Sequence, residues 1–325
     1  MNSFRSIASA TLAAAVAGVL PVLVSAQNFP VKPIRFIAGG AGSPADMRAR
    51  QVAQKLRESL GQPVVVDNRP GANGAIGARL AAKSPPDGYT LFNCSSVHAM
   101  NDLLNPDPSA RLDKDLAPIT RLTLGWLILA VHPSVPAASL QEFIDLAKAR
   151  PGSLSYSAAS QGSLSHLLGE LIKSRVGINI RAISYKFTAA EIPDVVGGHI
   201  HATFNYFNIL GPYIKGGKLR ALGVASARRL QVAPDIVTMS EAGLAGVEAI
   251  GWNGVCVPAG VPQAVTDLLY REVVKALADP VIRDQMIATG AEPGGERPEE
   301  FAAFIRSESA KWSKVIKDAG IVIIQ

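Results

Sequence analysis

Residues 34–50 read IRFIAGGAGSPADMRAR, and this stretch decides which type of fold to expect. The apolar run Ile34–Ile37 is typical of a strand, and a turn of small residues follows it. Pro44 then opens a helical pattern that extends to about Leu60, with acidic Asp46 in its first turn, as helix starts favour. Small residues let a ligand approach the backbone, and a helix start leaves N–H groups unpaired. The stretch predicts a strand–turn–helix unit, either an ordinary connection or an anion-binding turn.

The first 26 residues have the features of an export signal. Arg5 precedes an alanine-rich apolar run that ends near Val24. Val24-Ser25-Ala26 has the spacing of small residues that a signal peptidase recognises. We predict a signal peptide over residues 1–26, cleaved after Ala26, and an exported, soluble mature protein without a later membrane span.

Composition argues against several classes of function. The formal net charge is +6, but basic and acidic residues are interspersed, so no nucleic-acid partner is predicted. Cys94 and Cys256 lie in apolar, strand-like runs. They could pair in an oxidising compartment, but we interpret them as buried free thiols. Neither these cysteines nor the five histidines have metal-ligand spacing, so we expect no metal and no cofactor.

Strand-like runs alternate with helical patterns along the mature chain, which predicts an α/β fold with mostly parallel sheets flanked by helices. Composition changes near Asp113–Leu122, a charged connector before the apolar run at Trp126, and again near Gly243–Trp252. We interpret these breaks as crossings between two lobes. Lobe 1 would contain residues 27–122 and 248–325, lobe 2 residues 123–247, and the C-terminal helix is a candidate bridge between them. Such lobes close around ligands by hinge motion.

Three later segments resemble the first turn or follow a strand in the same way. Asn93–His98 and Ser157–His166 place Ser or Gly at a helix start, and Tyr185–Thr188 ends another strand. Hydroxyls and free N–H groups are the donors that a carboxylate needs. Several such turns in one chain indicate a cleft that holds an anion from both sides.

An enzymatic function was also considered. Ser95 precedes His98, and Ser163 precedes His166, at the same spacing, which is compatible with an exported hydrolase. However, the chain has no GxSxG nucleophile elbow, and hydroxyls at helix starts are usually caps. We therefore predict that the protein is not an enzyme.

Two motifs identify a family resemblance. GQPVVVDNRPGANG at residues 61–74 and PDGYTL at residues 86–91 resemble the Bug-type receptors of tripartite tricarboxylate transporters. The resemblance continues in order over essentially the whole mature chain. Further matching segments are Pro33-Ile34-Arg35, Ala158–His166, Tyr185-Lys186, Ile214–Ala221 and Val257–Pro262.

The resemblance implies a periplasmic solute-binding protein with a type II-like two-lobed fold and a ligand cleft at the hinge. It would capture a small organic carboxylate for a tripartite tricarboxylate-type transporter and dock on the membrane permease subunits, and we expect a monomer. An alternative is a ligand-sensing partner of a membrane sensor kinase, for which the binding chemistry would be the same.

Carried over to this chain, the resemblance implies ligand-binding residues in turns of both lobes. Those of lobe 1 are Ala38, Gly39, Gly42, Ser43, Asp46, Ser95, Ser96 and His98. Those of lobe 2 are Ala158, Ala159, Ser160, Gly162, Ser163, Lys186, Phe187, Thr188 and Asn205.

This chain departs from the family pattern at several of these positions. Relatives usually have an aromatic residue and a Gly-Gly pair in the first turn, where Gly39 and Gly42-Ser43 stand here. Phe187 replaces a small residue, and Asn205 stands where many relatives have aspartate. These departures predict a less acidic pocket, which need not accept the amino or polycarboxylic ligands of some relatives.

Overall fold

The computed structural model describes residues 29–105, 110–185 and 188–321, so the predicted signal peptide lies outside the described residues. The strands are β1 Ile34–Ala38, β2 Val64–Asn68, β3 Thr90–Ser95, β4 Leu116–Val131, β5 Ser155–Ala158, β6 Arg181–Ser184, β7 Ala202–Tyr206, β8 Arg220–Val224, β9 Ile250–Pro258 and β10 Glu292–Pro293. The helices are α1 Pro44–Leu60, α2 Ala75–Ala82, α3 Ser96–Leu104, α4 Leu140–Ala149, α5 Leu164–Val176, α6 Thr188–Val196, α7 Phe207–Lys215, α8 Gln263–Leu277, α9 Pro280–Ala288 and α10 Pro298–Asp318.

The fold is α/β, as the sequence predicted, with strands in the order β2-β1-β3-β9-β4-β7-β5-β6. β10 and β8 also pair with β4. The outer strands of each lobe pair in parallel, β1 with β2 and β3, and β5 with β6 and β7. The central strands β4 and β9 pair only antiparallel with their neighbours. The alternation of strands and helices in the sequence predicts the parallel strand pairs at the two ends of the sheet. It does not predict the antiparallel pairs in the middle, because these depend on where the chain returns to lobe 1.

The prediction of a charged connector at Asp113–Leu122 is wrong in detail, because β4 already begins at Leu116. Its apolar side chains Ile119 and Leu122 are fully buried, and burial of this kind favours a strand over a surface connector. The first part of β4 pairs with β9 as far as Trp126, and the part from Leu127 pairs with β7 and β8. A single strand therefore belongs to both lobes.

The point at which the chain passes back from lobe 2 to lobe 1 lies beside the point at which β4 leaves lobe 1. Ala249 accepts a hydrogen bond from the Leu127 amide and donates one to the Ala225 carbonyl, and β9 begins at the next residue. Gly125 and Gly251 are register partners here. A Cβ on Gly251 would collide with the Tyr206 hydroxyl, so a side chain of lobe 2 packs directly on the crossing strands.

The first strand–turn–helix unit forms as its residues predict. The Ser43 hydroxyl accepts a hydrogen bond from the Asp46 amide at 3.2 Å and caps α1, and Pro44 follows as its first residue. Gly61 ends the helix in the left-handed conformation at φ 68°. The apolar face of α1, at Val52 and Leu56, is fully buried against the core around β1.

Three apolar clusters hold the lobes. One lies in lobe 1 around β1 and α8, and another in lobe 2 around Ile128, Ile192 and Leu210. The third extends through both lobes and includes Trp252 and Trp312. Helix α10 packs on β4 and contacts both α3 of lobe 1 and α5 of lobe 2. Helix α10 therefore connects the two lobes through direct contacts with both.

Cys94 and Cys256 form a disulfide bond, so their interpretation as free thiols is wrong. Both cysteines are buried in the large cluster. β3 and β9 are antiparallel neighbours, which places two residues separated by 162 positions at a Cα–Cα distance of 5.9 Å. The pairing follows from the strand order and not from any local feature of either segment.

None of the helices in the described ranges combines the length and the apolar character needed to cross a membrane.

The disulfide should contribute measurably to stability. We expect the double variant Cys94→Ala/Cys256→Ala to lose about 2–5 kcal/mol of unfolding free energy, because the bond closes a long loop in the unfolded chain. Urea denaturation followed by circular dichroism measures this difference. Wild-type protein that is unfolded without a reductant should show no free thiol. Titration of two thiols in that sample would contradict the disulfide.

Candidate functional site

A cavity of about 290 Å³ lies between the two lobes, at the carboxyl ends of the parallel strands. Lobe 1 contributes the start of α3 and the loop before α2, and lobe 2 contributes the turn between β5 and α5 together with the end of β7. The lining residues are Asn73, Ser96, Val97, Met100, Asn101, Leu104, Leu127, Ala159, Ser160, Gln161, Gly162, Ser163, Leu164, Ser165, Glu191, Phe204, Asn205 and Tyr206.

The structure places part of the predicted site at this cavity. The predicted residues that line it are Ser96, Ala159, Ser160, Gly162, Ser163 and Asn205. The predicted residues that do not line it are Ala38, Gly39, Gly42, Ser43, Asp46, Ser95, His98 and Ala158. Lys186 and Phe187 lie outside the described residues, and Thr188 is described only as the first residue of α6.

Hydrogen bonds within the β5–α5 turn hold it in shape. The Ser163 hydroxyl caps α5 by accepting from the His166 amide at 3.3 Å, and it donates to the Ser160 carbonyl at 2.7 Å. The Ser165 hydroxyl accepts from the Ala159 amide at 3.2 Å. These bonds fix a serine-rich surface against the cavity before any ligand arrives.

His166 has a structural role in the same turn. Its Nδ1 accepts a hydrogen bond from the Gly162 amide at 3.1 Å. Burial lowers the pKa of His166, although Glu170 opposes that shift. The imidazole thus supports the turn as a hydrogen-bond acceptor at Nδ1.

At the start of α3, Ser95 and His98 form a partly buried pair. The Ser95 hydroxyl lies 2.9 Å from His98 Nδ1, and the imidazole packs edge-on against Phe92. Burial lowers the pKa of His98 to about 4, despite backbone hydrogen bonds with Gly74 and Ser95 that favour the charged form. Gly74 has φ 86°, and a Cβ there would collide with His98 Nε2, so this position requires glycine.

The first turn of lobe 1 stands one strand away from the cavity, because β1 lies beyond β3 in the sheet. Asp46 is buried, and both of its oxygens are engaged: Oδ1 accepts from Asn68, and Oδ2 accepts from the Gly42 amide and from Arg50. Burial raises the pKa of Asp46, but the hydrogen bonds from Arg50, Asn68 and Gly42 more than offset it and hold the pKa below its usual value. Asp46 thus positions the turn.

Glu191 was not among the predicted site residues, but it lines the cavity from α6 and is completely buried. Asn205 Nδ2 donates to Glu191 Oε1 at 2.5 Å. Burial raises the pKa of Glu191 to about 7, and the Ser157 hydroxyl and the Asn205 amide oppose this shift. Nothing in the sequence distinguishes Glu191 from the partly exposed Asp194 on the same helix, because only the packing of α6 on β5 buries it.

Glu191 changes the expectation of a less acidic pocket. Asn205 does stand in the cavity without a charge, but its amide holds a carboxyl group from another element. Among the described lining residues, Glu191 is the one side chain with a carboxyl, ammonium, guanidinium or imidazole group. The expectation was based on the departures at Gly39, Ser43, Phe187 and Asn205 together, and it did not take Glu191 into account.

Two further observations concern other kinds of site. In the described part of the chain, no group of three or more His, Cys, Asp or Glu side chains could hold a metal ion.

A larger, open groove of about 730 Å³ lies on lobe 2 beside the start of α4 and β8, and none of the predicted site residues lines it. The smaller cavity between the lobes is the candidate site, because the strand ends and helix starts converge there.

Comparison with known proteins identifies relatives along the whole chain. The model of the family described as "Tripartite tricarboxylate transporter family receptor" matches residues 48–321. Protein BugT of Bordetella pertussis is 35% identical over 323 residues, which cover 98% of this chain and 99% of that protein.

Solved structures show the same similarity. The R. palustris protein Rpa4515, solved with adipate, has a TM-score of 0.82 and 32% identity, over 91% of this chain and 100% of that one. MatC from Rhodopseudomonas palustris, solved with bound malate, has a TM-score of 0.76 and 27% identity, over 89% of this chain and 100% of that one.

Because the carboxyl group of Glu191 is buried, we expect the free energy of unfolding to depend on pH. The pKa of Glu191 is raised from 4.5 to about 7, so its stabilising contribution is complete below pH 4.5 and is lost as the pH rises through 7. Relative to Glu191→Gln, the unfolding free energy of the wild type should fall by up to about 3 kcal/mol over this range. Urea denaturation of both proteins at several pH values measures it. Parallel profiles for the two proteins would contradict the assignment.

Proposed function

Because the chain belongs to the receptor family of tripartite tricarboxylate transporters, we propose that it is a periplasmic solute-binding protein that captures a small organic carboxylate. The observation that carries the proposal is the cavity between the lobes, where the starts of α3 and α5 face each other across the cleft. The adipate and malate named for Rpa4515 and MatC support a carboxylate ligand.

Neutral donors would hold the carboxylate. Ser96, Ser160, Ser163 and Ser165 line the cavity, and the first turns of α3 and α5 add the positive ends of two helix dipoles. Because the Ser163 hydroxyl already donates to the Ser160 carbonyl, the hydroxyl donors for a ligand would be those of Ser96 and Ser160. No lysine or arginine is among the described lining residues. Hydrogen bonds to a charged acceptor are stronger than those between neutral groups, so hydroxyl and N–H donors suffice for an anion.

Closure of the lobes would complete the site. Both chain crossings lie side by side at Trp126–Leu127 and Ala249–Ile250, and two adjacent connections allow rotation about a common axis. Such a rotation would bring the turn from Ala38 to Asp46 towards the ligand from the lobe 1 side. We therefore retain this turn as a part of the site that acts in the closed form.

A hydrolase has little support. Ser95 and His98 have the distance of a nucleophile and a base, but neither lines the cavity. With a pKa of about 4, His98 is too weak a base to activate a hydroxyl at neutral pH. Ser163 contacts the amide of His166 and shows no hydrogen bond to its ring. We infer that the protein binds its ligand without converting it.

The remaining assignments follow from the same proposal. The N-terminal signal would direct the protein to the periplasm, with cleavage after Ala26. There the closed, ligand-bound monomer would dock on the permease subunits of its transporter. A sensor kinase as the membrane partner is the alternative, which a pull-down with the ligand-bound protein would distinguish.

Thermal shift with mono-, di- and tricarboxylates, hydroxy acids and amino acids tests the proposed function. A ligand at about 100 times its Kd should add roughly 2.7 kcal/mol of stability. If no carboxylate in the panel changes the melting temperature, the proposed function is wrong.

Tryptophan substitutions locate the site. Ser160→Trp should abolish binding, because it fills the cavity, and Ser43→Trp should weaken it by obstructing closure. Ser153→Trp is the matched control, since Ser153 is exposed and precedes β5 at the opposite end of that strand. Unchanged affinity in Ser160→Trp would place the site elsewhere, and unchanged affinity in Ser43→Trp would remove the first turn from it.

A further inference from the structure

The inner end of the cavity contains buried polar groups that lack partners. Glu191 is 0% exposed, and its Oε1 accepts from Asn205, but its Oε2 has no hydrogen-bond partner among the described residues. The Ser157 hydroxyl lowers the pKa of Glu191, although its oxygen, like Glu191 Oε2, has no hydrogen-bond partner among the described residues. An unpaired buried polar group costs about 1–3 kcal/mol, so Glu191 Oε2 favours a ligand that can donate a hydrogen bond to it.

Two further buried hydroxyls belong to strands β5 and β7, although neither of these residues lines the cavity. Ser157 on β5 and Thr203 on β7 are register partners, so their side chains share one face of the sheet. Asn205 lies two residues further along β7 and shares that face. The hydroxyl oxygens of Ser157 and Thr203 are fully buried, and neither has a partner in the described structure.

The two ends of the cavity differ in the hydrogen-bonding and acidic groups that they present. Serine hydroxyls and helix starts lie at the β5–α5 turn, whereas the carboxyl group of Glu191 lies against β7. Among the described residues, no basic side chain contributes to the pKa of Glu191, and burial is the cause that raises it. An ionised carboxylate only accepts hydrogen bonds, so its free oxygen is complementary to a donor.

We propose that Glu191 determines ligand specificity by accepting a hydrogen bond from a donor group, an ammonium or a hydroxyl, on a monocarboxylate whose carboxylate binds at the serine-rich turn. The inference rests on the proposed function and adds a ligand class to it. Above pH 7, where Glu191 is ionised, a second ionised carboxylate at this end would face it with like charge and no donor, which is unfavourable in a desolvated site, so the binding measurements are made at pH 8.

Two series of ligands with matched chain lengths test the inference by isothermal titration calorimetry. One consists of adipate, hexanoate, 6-hydroxyhexanoate and 6-aminohexanoate, and the other of succinate, butanoate, 4-hydroxybutanoate and 4-aminobutanoate. In the wild type, a ligand with a terminal donor should bind at least about tenfold more tightly than the dicarboxylate and the unsubstituted acid of equal length. The amino and hydroxy members show which donor is used.

The variant Glu191→Gln removes the charge and keeps the shape of the side chain. It should lose most of the preference for the donor-bearing ligand and bind the dicarboxylate as well as or better than the wild type does. Asp194→Asn is the control, because it removes a carboxylate from the same helix at a residue that does not line the cavity. That control should keep the wild-type ranking.

Three results would overturn the inference. Equal or tighter binding of the dicarboxylates by the wild type excludes it without requiring that any variant folds. An unchanged ranking in Glu191→Gln also excludes it, while carboxylate binding itself still supports the proposed function. If neither these ligands nor the broader panel binds, the proposed function fails and the inference fails with it.

Discussion

The antiparallel pairing of β4 with β9 is the constraint on which the rest of the structure depends. β4 pairs with β9 in lobe 1 and with β7 and β8 in lobe 2, so one continuous strand holds two sheets in a fixed order. The return strand lies directly beside it, with Gly125 opposite Gly251 at the crossing. Because both connections occupy the same place, the carboxyl ends of the outer parallel strands face each other, and a cleft opens between them.

The same pairing sets the chemistry of the two lobes. It brings β3 beside β9, which joins Cys94 to Cys256 inside the cluster that extends through both lobes. It also brings the helix starts of α3 and α5 to opposite sides of one cavity. The disulfide lies within lobe 1, whereas helix α10 contacts α3 of lobe 1 and α5 of lobe 2, so the proposed rotation of the lobes would occur at the crossing strands.

The cavity presents neutral hydrogen-bond donors at one end and a single acidic group, Glu191, at the other. The β5–α5 turn is held by its own serine and histidine side chains, so its donors are positioned before ligand arrives. Glu191 is held by Asn205 at the other end, where burial raises its pKa to about 7. In the proposed mode of binding, a ligand would have to satisfy two ends of opposite character, which is a stricter requirement than binding an anion.

The sequence by itself determined the alternation of strands and helices, the capped helix from Pro44 to Leu60, the serine-rich turns and the family. These features depend on residues within a few positions of each other, where helix capping and hydrophobic periodicity act. Only the tertiary structure decided that Cys94 pairs with Cys256, 162 positions away, and that Glu191 meets Asn205 across 14 positions. It also decided that β4 begins at Leu116 and continues into the second lobe. Strand order and helix packing bring such residues together, and no local pattern encodes which distant segments become neighbours.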